Sequence, residues 1–142
     1  MMIKSVSEYL KEYYLSNGKR INVTTLRGKQ HEICLSDDNK YFYSYTGLRQ
    51  NNVLYSNWFD GIMDFIKENG GRVEKGGCRN SKVGQDNCTK GTLCYYVATE
   101  CYGKCDGESS FDPIFIIAAI LENAGICKNE RGYIQLSAIN IE

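Results

Sequence analysis

Apolar positions along the chain follow two periods. Behind Ser5 and Ser7, either able to cap a helix, Tyr9, Leu10, Tyr13 and Tyr14 recur at helical spacing, and Ser16-Asn17-Gly18 supplies the stop. The next three runs alternate instead. Ile21 to Leu26, His31 to Leu35 and Lys40 to Tyr45 are short, rich in β-branched and aromatic residues, and joined by the turns Arg27-Gly28-Lys29 and Ser36-Asp37-Asp38-Asn39. Such runs with tight connections predict a three-stranded antiparallel meander.

Helical spacing returns after a polar connection, Thr46 to Ser56. Asn57 is placed to cap a helix with Trp58, Phe59, Ile62, Met63, Phe65 and Ile66 on one face and Asp60, Asp64, Lys67 and Glu68 on the other, ended by Asn69-Gly70-Gly71. Thr92 can cap a helix reaching Tyr102, with Gly103 as its stop. Asp112-Pro113 is the strongest start signal in the chain, an N-cap followed by proline at the first helical position. The helix it opens runs to about Asn123 and is apolar nearly all round, which predicts the most buried element. A final strand, Tyr133 to Leu136, follows the turn Asn129-Glu130-Arg131-Gly132.

This order predicts an α+β fold: an N-terminal helix and three-stranded antiparallel meander, then three helices and a final strand. Residues 1–142 read as a single domain divisible into two lobes, 1–56 (helix plus meander) and 57–142 (helices and the loop 70–91). The second lobe resembles a winged-helix order, atypically. Its connection from Gly103 to Phe111 far exceeds a helix-turn-helix turn of about three or four residues, and its last helix offers no polar face to a nucleic-acid groove. The resemblance is one of architecture, not of function.

Composition changes the picture in one place. The 42% hydrophobic and 12% aromatic fractions are those of a folded protein. Seventeen basic and seventeen acidic side chains cancel, which excludes a bulk nucleic-acid coat and makes any such contact local. The local exception is Gly70 to Gly91, a glycine-rich segment with Arg72, Lys75, Arg79, Lys82 and Lys90 against only Glu74 and Asp86. A mobile basic loop on an ordered scaffold is a common seat of binding. These five cations, with Lys128 and Arg131 from the last turn, are the expected contact residues.

Catalytic and metal chemistries find less support. Cys78, Cys88, Cys94, Cys101 and Cys105 are clustered, but there is no CxxC pair; the expected state is reduced thiols with no metal and no cofactor. Were zinc bound, Cys78, Cys88, Cys101 and Cys105 would be the expected ligands. Cys94, Ala98, Cys101 and Cys105 follow helical spacing, as a packing stripe would, and Cys34 and Cys127 read as plain thiols. The single histidine, His31, sits three residues from Cys34 on a presumed strand, so the two face opposite sides. Asp60 and Asp64 belong to a polar helix face, and Asp106 and Glu108 lack the ligand number for calcium. Val73-Glu74-Lys75 resembles the end of a nuclease signature without its acidic strand. Tyr95, Tyr96 and Tyr102 could stack on bases.

The N-terminal residues lack the apolar core of a secretion signal, and the longest apolar stretch, Ile114 to Leu121, is too short for a membrane span, so a cytoplasmic protein without membrane partners is expected. The functional expectation is a small non-enzymatic regulatory or binding module that contacts nucleic acid, or a nucleic-acid-handling protein, through the basic loop. The alternative is a protein–protein inhibitor or adaptor, such as a mobile-element factor directed against a host defence enzyme. A thiol- or histidine-dependent enzyme is the least supported reading.

Overall fold

In the computed structural model, which describes residues 5–48 and 52–137, Ser5 caps the first helix, α1 (Val6–Leu15), by accepting the Glu8 N–H on its Oγ at 3.2 Å. Ser7 has a different task. Its N–H and Oγ both donate to the Asp60 carboxylate, at 2.9 and 2.7 Å, which ties the start of α1 to the next helix. Leu10 and Tyr14 are buried on the inner face. The chain leaves through Gly18 at φ +75°, a left-handed conformation that costs glycine nothing sterically.

The alternating runs pair as predicted and acquire a fourth partner. Strands β1 (Arg20–Thr24), β2 (Gln30–Leu35), β3 (Tyr41–Tyr43) and β4 (Leu54–Tyr55) form an antiparallel sheet in sequential order. Val23 pairs with His31, Cys34 with Tyr43 and Tyr41 with Tyr55. Val23, Ile33, Leu35, Phe42 and Leu54 are buried. The connection Thr46 to Ser56 therefore contains a strand, and the meander has four members where three were expected. Two residues are too few to display a period. Part of that connection, 49–51, lies outside the described residues.

Helix α2 (Trp58–Glu68) buries Phe59, Ile62, Met63 and Ile66 and packs against α1, β4 and the second sheet. Asn57 makes no side-chain cap hydrogen bond, contrary to expectation. Its backbone is already helical, φ −68° and ψ −18°, so its side chain is not aimed back at the first turn.

The rest of the chain builds a second sheet around three helical segments. Strand β5 (Arg72–Glu74) pairs with β7 (Tyr133–Leu136), which pairs with β6 (Cys127–Glu130), giving the antiparallel order β5-β7-β6. The expected lone final strand is thus the middle of three. Thr92 caps α3 (Leu93–Tyr96), its Oγ1 accepting the Tyr95 N–H at 3.1 Å, and the helix widens directly into a π-helical turn (Val97–Cys101) before Gly103. Thr99 Oγ1 donates to the Tyr95 carbonyl at 2.8 Å within that turn. Helix α4 (Ile114–Asn123) begins one residue later than expected: Pro113 occupies the cap position, and Asp112 Oδ1 accepts the Ile114 N–H at 3.1 Å.

The second lobe runs α2–β5–α3–α4–β6–β7 with strands paired β5-β7-β6, two strands more than the three helices and final strand expected. A long connection separates α3 from α4. Between Ile114 and Leu121 every residue of α4 except Phe115 is buried, against β1 of the first sheet and β6 of the second. Burying an Ile or Leu contributes about 1.5–3 kcal/mol each, so this face cannot be lent to a groove. One hydrophobic cluster runs from Val6 through α4 to Ile134 and includes residues of both lobes. Among the described residues no helix is long and apolar enough to cross a membrane.

Candidate binding face and the cysteine cluster beneath it

The segment 70–91, expected as a mobile glycine-rich basic loop, is folded on itself. Val73, Cys78, Val83 and Cys88 are buried within it. Lys75 N–H donates to the Gly132 carbonyl and Cys94 N–H to the Lys75 carbonyl, both at 2.9 Å, so the segment is stitched to the β6–β7 turn on one side and to α3 on the other. Gly77 N–H donates to Asn87 O at 2.9 Å and Gly84 N–H to Cys88 O at 2.8 Å. Gly76 sits at φ +64° with the Asn87 carbonyl so close that a Cβ would stand 2.5 Å from it. Close backbone approach, not flexibility, is what glycine provides there.

This fold distributes the seven predicted cations unequally. Arg72 lies on β5 with its guanidinium 3.7 Å from the centre of the Tyr133 ring, a cation–π contact. The register Arg72–Gln135–Lys128 places Arg72 and Lys128 in one exposed row across the sheet. Arg131 is exposed in the β6–β7 turn, which the Lys75–Gly132 hydrogen bond holds against the basic segment. Arg79, Lys82 and Lys90 lie on that segment, Lys82 Nζ donating to Ser109 Oγ at 2.6 Å at the surface. Lys75 turns inward. It is half-buried, Nζ donates to Asn129 Oδ1 at 2.5 Å, and burial lowers its pKa against the opposing pull of Glu122 and Glu130.

A shallow groove of about 550 Å³ runs between these pieces, lined by Glu74, Lys75, Arg79, Asp86, Asn87 and Thr89 among others. Its charges are mixed: the two anions of the segment line the groove beside two of the cations. Arg72, Lys82, Lys90, Lys128 and Arg131 are exposed outside the groove, and the register also sets Glu74 and Glu130 on the same side of the second sheet as Arg72 and Lys128.

Tyr95, Tyr96 and Tyr102, expected as stacking residues, each make contacts within the protein. Tyr96 stacks on Phe65 at 4.7 Å, Tyr102 lies between Trp58 at 5.2 Å and Phe111 at 6.2 Å, and Tyr95 donates its hydroxyl to Asp106 at 2.8 Å. A different set is available. Tyr45, Tyr43, Tyr41 and Tyr55 follow one another at ring separations of 5.7, 6.3 and 5.9 Å on the outer side of the first sheet, and Tyr45 is 86% exposed. The alternation in Tyr41-Phe42-Tyr43-Ser44-Tyr45 carries that signal, since tyrosines two apart on a strand share a face.

Beneath the basic segment three thiols meet. Cys78 follows β5, Cys88 closes the segment's return and Cys94 lies in the first turn of α3; all are buried and their sulfurs lie within 4.8 Å of one another. The Cys88 and Cys94 Sγ atoms are 3.0 Å apart. Burial pushes the Cys78 thiol up to about 11 and raises Cys94 as well. Asp112 adjoins the cluster, accepting the Cys78 N–H on Oδ2 at 3.0 Å. The expected ligand set of Cys78, Cys88, Cys101 and Cys105 is not assembled: Cys101 is half-buried in the π-helical turn, and Cys105 is exposed beyond it. Cys94 takes their place because its own N–H pins the start of α3 to Lys75, three residues before Cys78.

The remaining polar candidates are engaged structurally. His31 is buried, its Nδ1 lies 2.8 Å from Thr46 Oγ1, and burial followed by the Lys29 charge lowers its pKa. Cys34 lies on the Tyr43 side of the sheet, opposite His31, as the strand period required. Asp60 holds α1, and Glu108 accepts the Cys105 N–H at 2.7 Å. Compared with known proteins, the chain matches no family model, no curated protein and no solved structure.

Proposed function

We propose that the chain is a non-enzymatic binding module that contacts nucleic-acid phosphates through Arg72, Arg79, Lys82, Lys90, Lys128 and Arg131. One observation carries this reading. The Arg72–Gln135–Lys128 register sets two cations in one exposed row of the second sheet, and the Lys75–Gly132 hydrogen bond holds the turn of Arg131 against the start of the segment that carries Arg79, Lys82 and Lys90. Phosphate contacts need such convergence but no base-reading helix. The burial of α4 argues for backbone contact over base readout. Lys75 serves as an internal tie to Asn129.

The test is binding of fluorescent single-stranded and duplex oligonucleotides across a salt series. The variant Arg79→Ala/Lys82→Ala/Lys90→Ala, which touches no core position, is expected to fold as wild type and bind more weakly. Its log K against log salt slope should be shallower by roughly 0.7–0.9 for each phosphate that is no longer neutralised. If wild type binds neither oligonucleotide at low salt, the proposal fails.

A second reading, a protein-directed inhibitor or adaptor, is favoured by the tyrosine strip. Tyrosine is enriched at protein interfaces because it offers large contact area at small entropy cost. Under that reading Tyr43→Ala and Tyr45→Ala abolish partner capture, while the triple cation variant leaves it intact.

A further inference from the structure

We propose that Cys78, Cys88 and Cys94 bind one zinc ion as a structural site that holds the basic segment in its folded form. Geometry supports it first. Zinc bound tetrahedrally at about 2.3 Å from each sulfur separates its sulfurs by roughly 3.8 Å. The three Sγ atoms lie within 4.8 Å, with one pair at 3.0 Å, so small side-chain adjustments bring all three to an ion between them. The sulfurs come from three separate backbone pieces: the stretch after β5, the closing turn of the segment and the first turn of α3. All three cysteines are buried, as a structural rather than a catalytic site requires.

The energetics of the segment call for such a staple. Ordering a residue costs about 1–2 kcal/mol of backbone entropy, and between residues 75 and 91 the buried apolar side chains are Cys78, Val83 and Cys88. One valine and two thiols are little hydrocarbon to hold a segment of that length. Metal binding by cysteine sites couples directly to folding, which resolves the shortfall. Soft thiolates select zinc over magnesium or calcium. On binding, each thiol gives up its proton to solvent and three S–Zn bonds form. The thiols supply three of the four tetrahedral positions; Asp112, whose Oδ2 and Oδ1 accept the Cys78 and Ile114 N–H groups, lies outside the set. Cys34, Cys101, Cys105 and Cys127 lie outside that set as well.

The experiment is elemental analysis of protein purified without chelators, followed by cobalt(II) titration of the reduced, metal-free full chain under anaerobic conditions. One equivalent of zinc is expected. Cobalt should give a thiolate-to-metal charge-transfer band that saturates at one equivalent and is abolished by added zinc. Cys78→Ser, Cys88→Ser and Cys94→Ser should each lose the band, and Cys105→Ser should keep it. Should the first three fail to fold, the wild-type titration decides alone. Absence of both zinc and a saturable cobalt band in reduced wild type overturns the proposal. So does a Cys88–Cys94 disulfide found by peptide mass in protein purified without reductant. Neither measurement involves nucleic acid, so the site stands or falls independently of the function proposed above.

Discussion

Two tyrosines of α1 are expected to respond in opposite directions to loss of the same atom. Tyr9 Oη donates to the Ala124 carbonyl at 3.0 Å, at the C-terminal end of α4. Tyr14 is buried to 1% exposure, packed on Phe42 at 4.9 Å, and its hydroxyl has no hydrogen-bond partner among the described residues. Tyr9→Phe removes a made hydrogen bond and strands a carbonyl, a loss of about 1 kcal/mol; Tyr14→Phe removes an unpaired buried hydroxyl and should gain about 1 kcal/mol. With urea m-values of about 1–3 kcal/mol/M, the midpoints should move by roughly 0.5 M in opposite senses at unchanged m. A pH arm adds an independent readout. Burial is the main cause that raises the Tyr14 pKa, with Tyr13 and Cys34 adding to it. The folded state therefore keeps a proton that the unfolded chain loses above about pH 10. Stability from this group is complete below that pH and falls as pH rises toward the folded value, by about 1.4 kcal/mol per pH unit for one proton. Tyr14→Phe should flatten the alkaline limb, and Tyr9→Phe should not. Equal destabilisation by both variants, with no change in the limb, would refute the reasoning.

Two further outcomes follow from the core and the segment. Ile117→Asp should abolish cooperative unfolding, because an unpaired buried charge costs several kcal/mol against a total of roughly 5–15; a melt near the wild-type temperature would show that α4 is not the core. Gly76→Ala combines a left-handed φ with a Cβ 2.5 Å from a backbone carbonyl, whereas Gly91→Ala, at φ +100°, meets nothing within 4 Å. Amide exchange at Gly77, Gly84 and Cys88 should accelerate by at least tenfold in the first variant, the equivalent of about 1.4 kcal/mol, and clearly less in the second.

Local periodicity and punctuation determined the elements long enough to repeat themselves. Ser16, Thr92, Gly103 and Asp112-Pro113 mark ends within a residue or two, the choice between Ser5 and Ser7 falls to Ser5, and the all-apolar 114–121 announces the central helix. The α+β class and the first three strands follow from the same information, because cap chemistry and face alternation act over a few neighbours. Tertiary structure alone decided three things. Strands β4, β5 and β6 have two to four residues, and β6 buries a polar Asn129 that reads as a turn residue in sequence, so only pairing partners reveal them. The inward turn of Lys75 depends on Asn129, 54 residues away. The choice of Cys94 over Cys101 and Cys105 as the third thiol depends on the hydrogen bond that docks α3 on Lys75. Each is a long-range contact whose two halves carry no signal separately, which is why the cations are visible along the chain and the register that sets Arg72 and Lys128 in one row is not.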